Sequence, residues 1–289
     1  MMEIANVVLT DGTYSVKNSF KKAIKRYYDA DLIEGNLNAG FINKWVSTHT
    51  RGLIKNFIDG NEISGSRAAF LNTLYFKGTW ADGFSKSATV KRVFNSPATG
   101  AREIDFMNKL ALGSPAVRYS ERSDSQWLMC DYGGGDNESC NYSMVFTLPL
   151  EGKTPESVIS SMTSKQWEQQ MSSFKSQNID IKLPKYEVST VSSKIVEALS
   201  ALGVNHIFSG ASLENFSDAE LFATTIKHAA RLSIDENGSE AAAATIIDGE
   251  MASPDEKAPH YVSFYAERPF IFTIVEKRTG VILFQGIYK

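Results

Sequence analysis

Residues 68–84 read AAFLNTLYFKGTWADGF. The first nine are almost continuously apolar and rich in β-formers, the pattern of a strand buried on both faces. The polar Asn72 enters in mid-run, and Lys77 and Gly78 then lead to Trp80. Toward the N-terminus, residues 4–9 read as a short strand. Residues 17–28 (KNSFKKAIKRYY) place Phe20, Ile24, Tyr27 and Tyr28 on one helical face. Residues 40–48 (GFINKWVST) repeat that spacing with Phe41, Ile42 and Trp45. Toward the C-terminus strand-like runs dominate, broken by one helical stretch over 155–171. Residues 178–188 (NIDIKLPKYEV) alternate but carry Pro184, which favours an edge or a bend. A helix over 192–202 ends at Gly203, and 221–234 is strand-like. Residues 261–266, 269–276 and 281–288 close the chain as strands, the last two joined by a KRTG turn. The elements are mixed rather than alternating, so the fold class is α+β with several sheets.

The 289 residues are enough to bury most of the surface of the unfolded chain without a disulfide or metal scaffold. No internal repeat, low-complexity tract or linker divides them. A net charge of -3 and the lack of a basic tract give no footing for nucleic acid or an anionic membrane. No window approaches the roughly 18 uninterrupted apolar residues of a membrane span. The start, MMEIANVVLTDGTY, lacks the charged beginning and apolar length of a signal peptide. An intracellular, cytoplasmic setting is expected, with secretion as the alternative. Cys130 and Cys140 flank the turn-rich DYGGGDNES between two strand-like runs. They read either as a hairpin disulfide or as free thiols of a reducing compartment. No G-x-S-x-G, Walker A, H-E-x-x-H or C-x-x-C motif is present, and His49, His206, His228 and His260 are scattered. Neither enzyme activity nor a cofactor or metal is expected.

One stretch does not fit a packed core. Residues 235–259, DENGSEAAAATIIDGEMASPDEKAP, connect strand-like runs at a length usual for functional or disordered loops. Residues 239–245 (SEAAAAT) are almost all small, while 248–257 are acidic and contain Gly249 and Pro254. The small half has three readings. Propensity gives an alanine-rich helix, although fewer than about 12 residues need tertiary support. A flexible linker is the second. The third is a segment that slides between two existing strands, where small side chains limit clashes.

Taken together, these residues resemble the serpin family of protease inhibitors. NTLYFKGTWADGF (72–84) is similar to the family's run through the end of the third strand of its main sheet. EIDFMNK (103–109) is similar to the segment that follows. IDENGSEAAAAT (234–245) resembles the reactive-loop hinge of inhibitory members, and AERPFIFTIVEKRTGVILFQGIYK (266–289) the C-terminal strand pair. Four motifs in order and spacing are specific, and the likeness runs the length of the chain. It implies a single serpin domain over 1–289, with a large mixed sheet, further sheets, surrounding helices and an exposed reactive-centre loop within 235–259. Family members normally carry more chain before the strand that opens here, including helices beneath the main sheet. The domain is therefore expected to lack that part and to leave apolar faces uncovered.

The resemblance also implies a mechanism. A target protease attacks the loop and forms an acyl-enzyme. The hinge side of the loop then inserts as a new central strand and drags the protease with it. Residues 238–252 would add a strand of roughly 45 Å. At about 1 kcal/mol net per hydrogen bond, pairing on both sides gives well over about 10 kcal/mol, so the uncut state is metastable. Hinge residues are Glu236, Gly238, Ser239, Glu240, Ala241, Ala242, Ala243, Ala244 and Thr245, with Gly238 the pivot. By family spacing the reactive bond is Ala252–Ser253, with Met251 the nearest alternative and Lys257 a distant one. Alanine or methionine suits an elastase-like or chymotrypsin-like pocket, lysine a trypsin-like one. The expected partner is a serine protease, or a cysteine protease, and the inhibitor is expected to be monomeric. His228 resembles the histidine that bonds the strand-three asparagine, here Asn72, where the sheet parts; without the resemblance it is a core histidine. Lys185 resembles the lysine that pairs with the hinge glutamate, here Glu236, with Trp80 beside it; otherwise it is a solvated strand charge. Asn-X-Ser sequons start at Asn137, Asn141, Asn215 and Asn237, and a glycan on Asn237 would block insertion. The rival readings are a non-inhibitory carrier, chaperone or storage serpin, and a shortened chain that serves only as a binding fragment.

Overall fold

The computed structural model describes residues 2–52, 54–133, 139–192, 195–208, 213–219, 225–239 and 260–289. In chain order the elements begin with β1 (Met2–Thr10), α1 (Asn18–Tyr28), β2 (Asp31–Glu34), α2 (Ala39–His49), α3 (Gly60–Ile63), β3 (Ala68–Phe76) and β4 (Gly78–Trp80). Next come β5 (Val90–Ser96), β6 (Gly100–Leu112), β7 (Val117–Glu121), β8 (Ser125–Gly133) and β9 (Ser139–Pro149). After α4 (Pro155–Ser160) and α5 (Ser164–Ser172) follow β10 (Lys175–Ser176), β11 (Asn178–Pro184), β12 (Tyr186–Ser192), α6 (Ile195–Ala201) and β13 (Thr225–Ile234). The chain ends with β14 (Gly238–Ser239), β15 (Val262–Tyr265), β16 (Phe270–Glu276) and β17 (Ile282–Tyr288). Two compact units result, Met1–Phe76 with Glu187–Leu232, and Lys77–Tyr186 with Ser233–Lys289.

The first unit is built on a five-stranded sheet in the order β12-β13-β3-β1-β2. β3 runs antiparallel to β1 and parallel to β13. Successive strand residues point to opposite faces; one face is fully covered and the other, that of Phe70, Asn72 and Leu74, is partly covered. Val7, Leu9, Ala69, Leu71 and Ala229 pack against Ile42, Trp45 and Val46 of α2 and against Phe57 and Ile58. Val8, Ala68 and Phe70 pack on the other side with Ile24 of α1 and Phe216. Burial that is complete on one face and partial on the other is why residues 68–76 are nearly continuously apolar.

In the second unit an eight-stranded sheet follows the path β10-β7-β8-β9-β16-β17, with β4 joined to both β8 and β14. A four-stranded sheet has the order β15-β11-β6-β5. β16, FIFTIVE, lies between β9 and β17 and is buried along almost its whole length.

Three expectations change in detail. The helical stretch over 155–171 is two helices, because Thr163 accepts from the Gln166 amide and Gln166 bonds back, a capping box that starts α5 afresh. The alternating run over 178–188 is two strands in different sheets, since Pro184 ends β11 and Tyr186 opens β12. The hairpin disulfide is excluded. The β8–β9 register sets Cys130 opposite Met144, and Cys130 is a buried free thiol that burial pushes up to about 12.

Candidate functional site

Two polar clusters interrupt this apolar framework, one in each unit. In the first unit β3 and β13 are direct neighbours, paired from Thr225↔Ala69 to Arg231↔Tyr75. Register aligns Asn6 of β1, Asn72 of β3 and His228 of β13 side by side on the face of Val8 and Phe70. Asn6 Nδ2 donates to the Tyr28 carbonyl at 2.8 Å, and Asn72 Nδ2 donates to Asn6 Oδ1 at 2.7 Å. Asn72 Oδ1 is thereby left to accept from His228 Nδ1 at 2.6 Å, so the network assigns the imidazole proton to Nδ1. Burial holds His228 below the ordinary histidine range, which favours the neutral ring. A cavity of about 370 Å³ opens over this chain, with Phe70 and Ile226 among its walls.

The opposite face of β13 carries Lys227, whose side chain is only 9% exposed. Its ammonium pairs with Glu62 of α3 and lies 5.9 Å from the centre of the Phe57 ring. The Lys227 hydrogen bond leads the effects that hold the Glu62 carboxyl below its usual range. Ser66 and Thr225 hydroxyls meet at 2.9 Å. The segment that leads into β3 is thus fastened to β13.

In the second unit the chain reverses directly after β13. Asp235 N donates to Gly238 O at 2.9 Å, Gly238 N to Asp235 O at 3.2 Å, and Asn237 N to Asp235 Oδ1 at 2.8 Å. The turn is held on β4 and the residues after it. Trp80 N donates to Asn237 O at 2.8 Å, Trp80 Nε1 to Asp235 O at 2.9 Å, and Phe84 N to Glu236 O at 2.9 Å. β14 adds the pairs Gly238↔Thr79 and Ser239↔Gly78. Trp80 stacks on Tyr132, with ring centres 4.7 Å apart.

The Glu236 side chain is 3% exposed and its carboxylate meets Lys185 Nζ at 2.9 and 3.0 Å. Thr89 Oγ1 donates to it at 2.6 Å. Burial pulls this carboxyl upward, but the hydrogen bonds from Thr89 and Lys185 outweigh burial and leave it below the usual range. At Gly238 φ is +135°, and a Cβ would overlap the Gly78 carbonyl oxygen and stand 2.8 Å from Thr79 Cα.

The structure thus brings Asn72 to His228, and Lys185 and Trp80 to the turn that holds Glu236, Gly238 and Ser239. The hinge residues Glu240, Ala241, Ala242, Ala243, Ala244 and Thr245 lie outside the described residues. So do Met251, Ala252, Ser253 and Lys257, and the sequon at Asn137. Of the other sequons, Asn141 and Asn215 are exposed, whereas Asn237 is buried, 5% exposed. Sequence reading missed Asn6, although an amide inside the apolar EIANVVL is the same signal as Asn72. It also missed Thr89, which precedes β5 in an ordinary polar loop and gave no signal.

Large mixed sheets with a few helices, a parallel β3–β13 pair and a glycine-containing turn directly after β13 define an α+β protein of several sheets. A family model described as "Serpin (serine protease inhibitor)" matches residues 1–288. The chain belongs to the serpin family. It is 29% identical over 294 residues to Iripin-2 of Ixodes ricinus, covering 99% of this chain and 71% of that protein. To intracellular coagulation inhibitor 2 of Tachypleus tridentatus it is 29% identical over 293 residues, covering 98% and 69%. The native state of tengpin, a thermophilic serpin, superposes with a TM-score of 0.85 at 23% identity, over 99% of this chain and 72% of its own. Thyroxine-binding globulin in complex with thyroxine gives 0.83 at 23% identity, over 99% and 74%. These two likenesses establish the fold. Among the described residues no helix is long and apolar enough to cross a membrane.

Proposed function

We propose that this chain is a protease inhibitor of the suicide-substrate type, acting as a single serpin domain. After cleavage, residues from 238 onward enter between β3 and β13. One observation carries the reading. β3 and β13 run parallel, and the chain reverses at Asp235–Gly238. A strand that leaves this turn runs antiparallel to both neighbours and exchanges one parallel ladder for two antiparallel ones. SEAAAAT brings little side-chain volume into that seam. The target is a serine protease with a small or medium apolar primary pocket, cut at Ala252–Ser253. The intracellular setting is supported by the relative whose name carries that word.

The test is incubation with a panel of serine and cysteine proteases, read on a denaturing gel. A complex that survives SDS is expected with the intact hinge. Strand alternation turns one of two neighbouring residues inward, so either Ala241→Arg or Ala242→Arg should convert the inhibitor into a cleaved substrate. Absence of a complex with every enzyme would remove the reading. A carrier function is the second reading. It is favoured by a cavity of about 410 Å³ between α4, α5 and the eight-stranded sheet, lined by Trp127, Met162, Trp167 and Ile271 among others, a size suited to a small ligand. Quenching of tryptophan fluorescence by an apolar ligand, with no SDS-stable complex, would favour it.

A further inference from the structure

Asn237–Gly238 is the only Asn-Gly pair in the sequence, and it forms the centre of the turn that follows β13. Asparagine before glycine cyclises readily, because a residue without Cβ leaves its backbone nitrogen open to the preceding side chain. The Gly238 nitrogen bonds to Asn237 Cγ, the Cγ–Nδ2 bond breaks, and the nitrogen's proton leaves with the amide as ammonia. Water then opens the succinimide at either carbonyl and yields aspartate or isoaspartate.

Here the side chain and the backbone are held very differently. Asn237 Oδ1 is buried without a hydrogen-bond partner, so nothing anchors the carbonyl that carries the reactive carbon. The peptides on both sides are pinned. Gly238 N–H donates to Asp235 O, Asn237 N–H to Asp235 Oδ1, and Asn237 O accepts from Trp80 N. Gly238 is also paired with Thr79 of β4, which holds its backbone in place.

We propose that Asn237–Gly238 is a site of spontaneous deamidation, protected while the turn is closed, whose carboxylate product unfastens the turn from β4. Protection follows because the attacking nitrogen is engaged with Asp235 O and its residue is held in the pairing with β4. Unfastening follows from the product. A carboxylate at a position 5% exposed stands next to the buried Glu236, whose Lys185 partner is already engaged. Adjacent buried like charges are unfavourable. Isoaspartate further lengthens the main chain by one carbon at residue 237 and so shifts the Gly238↔Thr79 pair out of register. The deamidation chemistry does not rest on the protease-trapping reading, although it falls on the same turn.

The experiment holds the protein at neutral pH, folded and in concentrated urea, and follows the peptide containing residue 237 by mass spectrometry. In urea Asn237 is expected to be the fastest asparagine to gain one mass unit. In the folded protein it should be slower by about ten-fold or more, as local opening gates it. Equal rates in the two states, or a faster asparagine elsewhere in urea, would overturn the proposal. The deamidated fraction, separated by ion exchange, should then show faster amide exchange at 78–80 and 235–239 while β7 and β8 stay protected. Asn237→Ser, which forms no succinimide and adds no charge, should exchange like the unmodified protein. Exchange unchanged on deamidation, or lost throughout the chain, would refute the local unfastening.

Discussion

Gly238 occupies a position that no side chain fits, because its φ is left-handed and backbone atoms of β4 fill the place of a Cβ. Gly238→Ala must lift the turn off β4, and a loss of about 1–3 kcal/mol in urea unfolding is expected. Gly100→Ala is the control, since its φ is also positive but open space surrounds it; a loss equal to the control would mean that the close approach costs nothing. Tyr186 presents the opposite case. Its hydroxyl is buried with no partner among Phe270, Phe272 and Tyr288, and burial pushes it well above the ordinary tyrosine range. Tyr186→Phe removes the unpaired group and should raise stability by about 1 kcal/mol or more; a lower urea midpoint would contradict this. His228 makes stability depend on pH. Its folded pKa lies below the ordinary 6.5, so the unfolded chain binds the proton more tightly. The contribution is present above pH 6.5 and is lost as pH falls from there through the folded value. His228→Gln, with no titrating ring, should flatten that part of the stability-versus-pH curve.

Between elements, Lys227 and Glu62 fasten α3 to β13. Lys227 is nearly buried while Glu62 is 39% exposed. Glu62→Gln leaves a cation beside Phe57 without its counter-charge and should cost about 2–4 kcal/mol, toward the lower end for a half-exposed pair. Lys227→Met suits the apolar surroundings and should cost clearly less, so the two variants differ in urea midpoint; equal midpoints would show that the pair contributes nothing. This strap was not legible in the sequence. Its two charges are 165 residues apart, and Lys227 sits in a run that reads as an ordinary strand. β3 was legible to the residue, because a strand largely buried on both faces leaves a local apolar trace; β16 was legible for the same reason, and its partner β17, which is less buried, through the KRTG turn between them. Pro184 signalled a bend, but only the pairing shows that it sends one alternating run into two sheets. Asn72, His228, Lys185 and Glu236 were legible through resemblance alone, since none is near its partner in sequence. Asn6 and Thr89 complete those clusters, and only the strand register and the turn bring them in.

At the scale of the whole molecule, the proposed insertion requires free energy that the uncut chain stores. The β3–β13 ladder pairs seven residues of each strand, from Thr225↔Ala69 to Arg231↔Tyr75. A strand entering there would lose that ladder and form two. A cut near Ala252 frees the hinge side while leaving it attached through Gly238. At about 1 kcal/mol net per added hydrogen bond, the gain of one ladder is on the order of 10 kcal/mol. For a domain of this size each kcal/mol raises the thermal midpoint by about 2–4 °C, so the cut protein should melt roughly 20–40 °C above the intact one. Limited proteolysis in the loop followed by circular-dichroism melting measures this directly. Coincident melting curves would mean that the seam accepts no strand, and that the uncut state stores nothing to drive a trap.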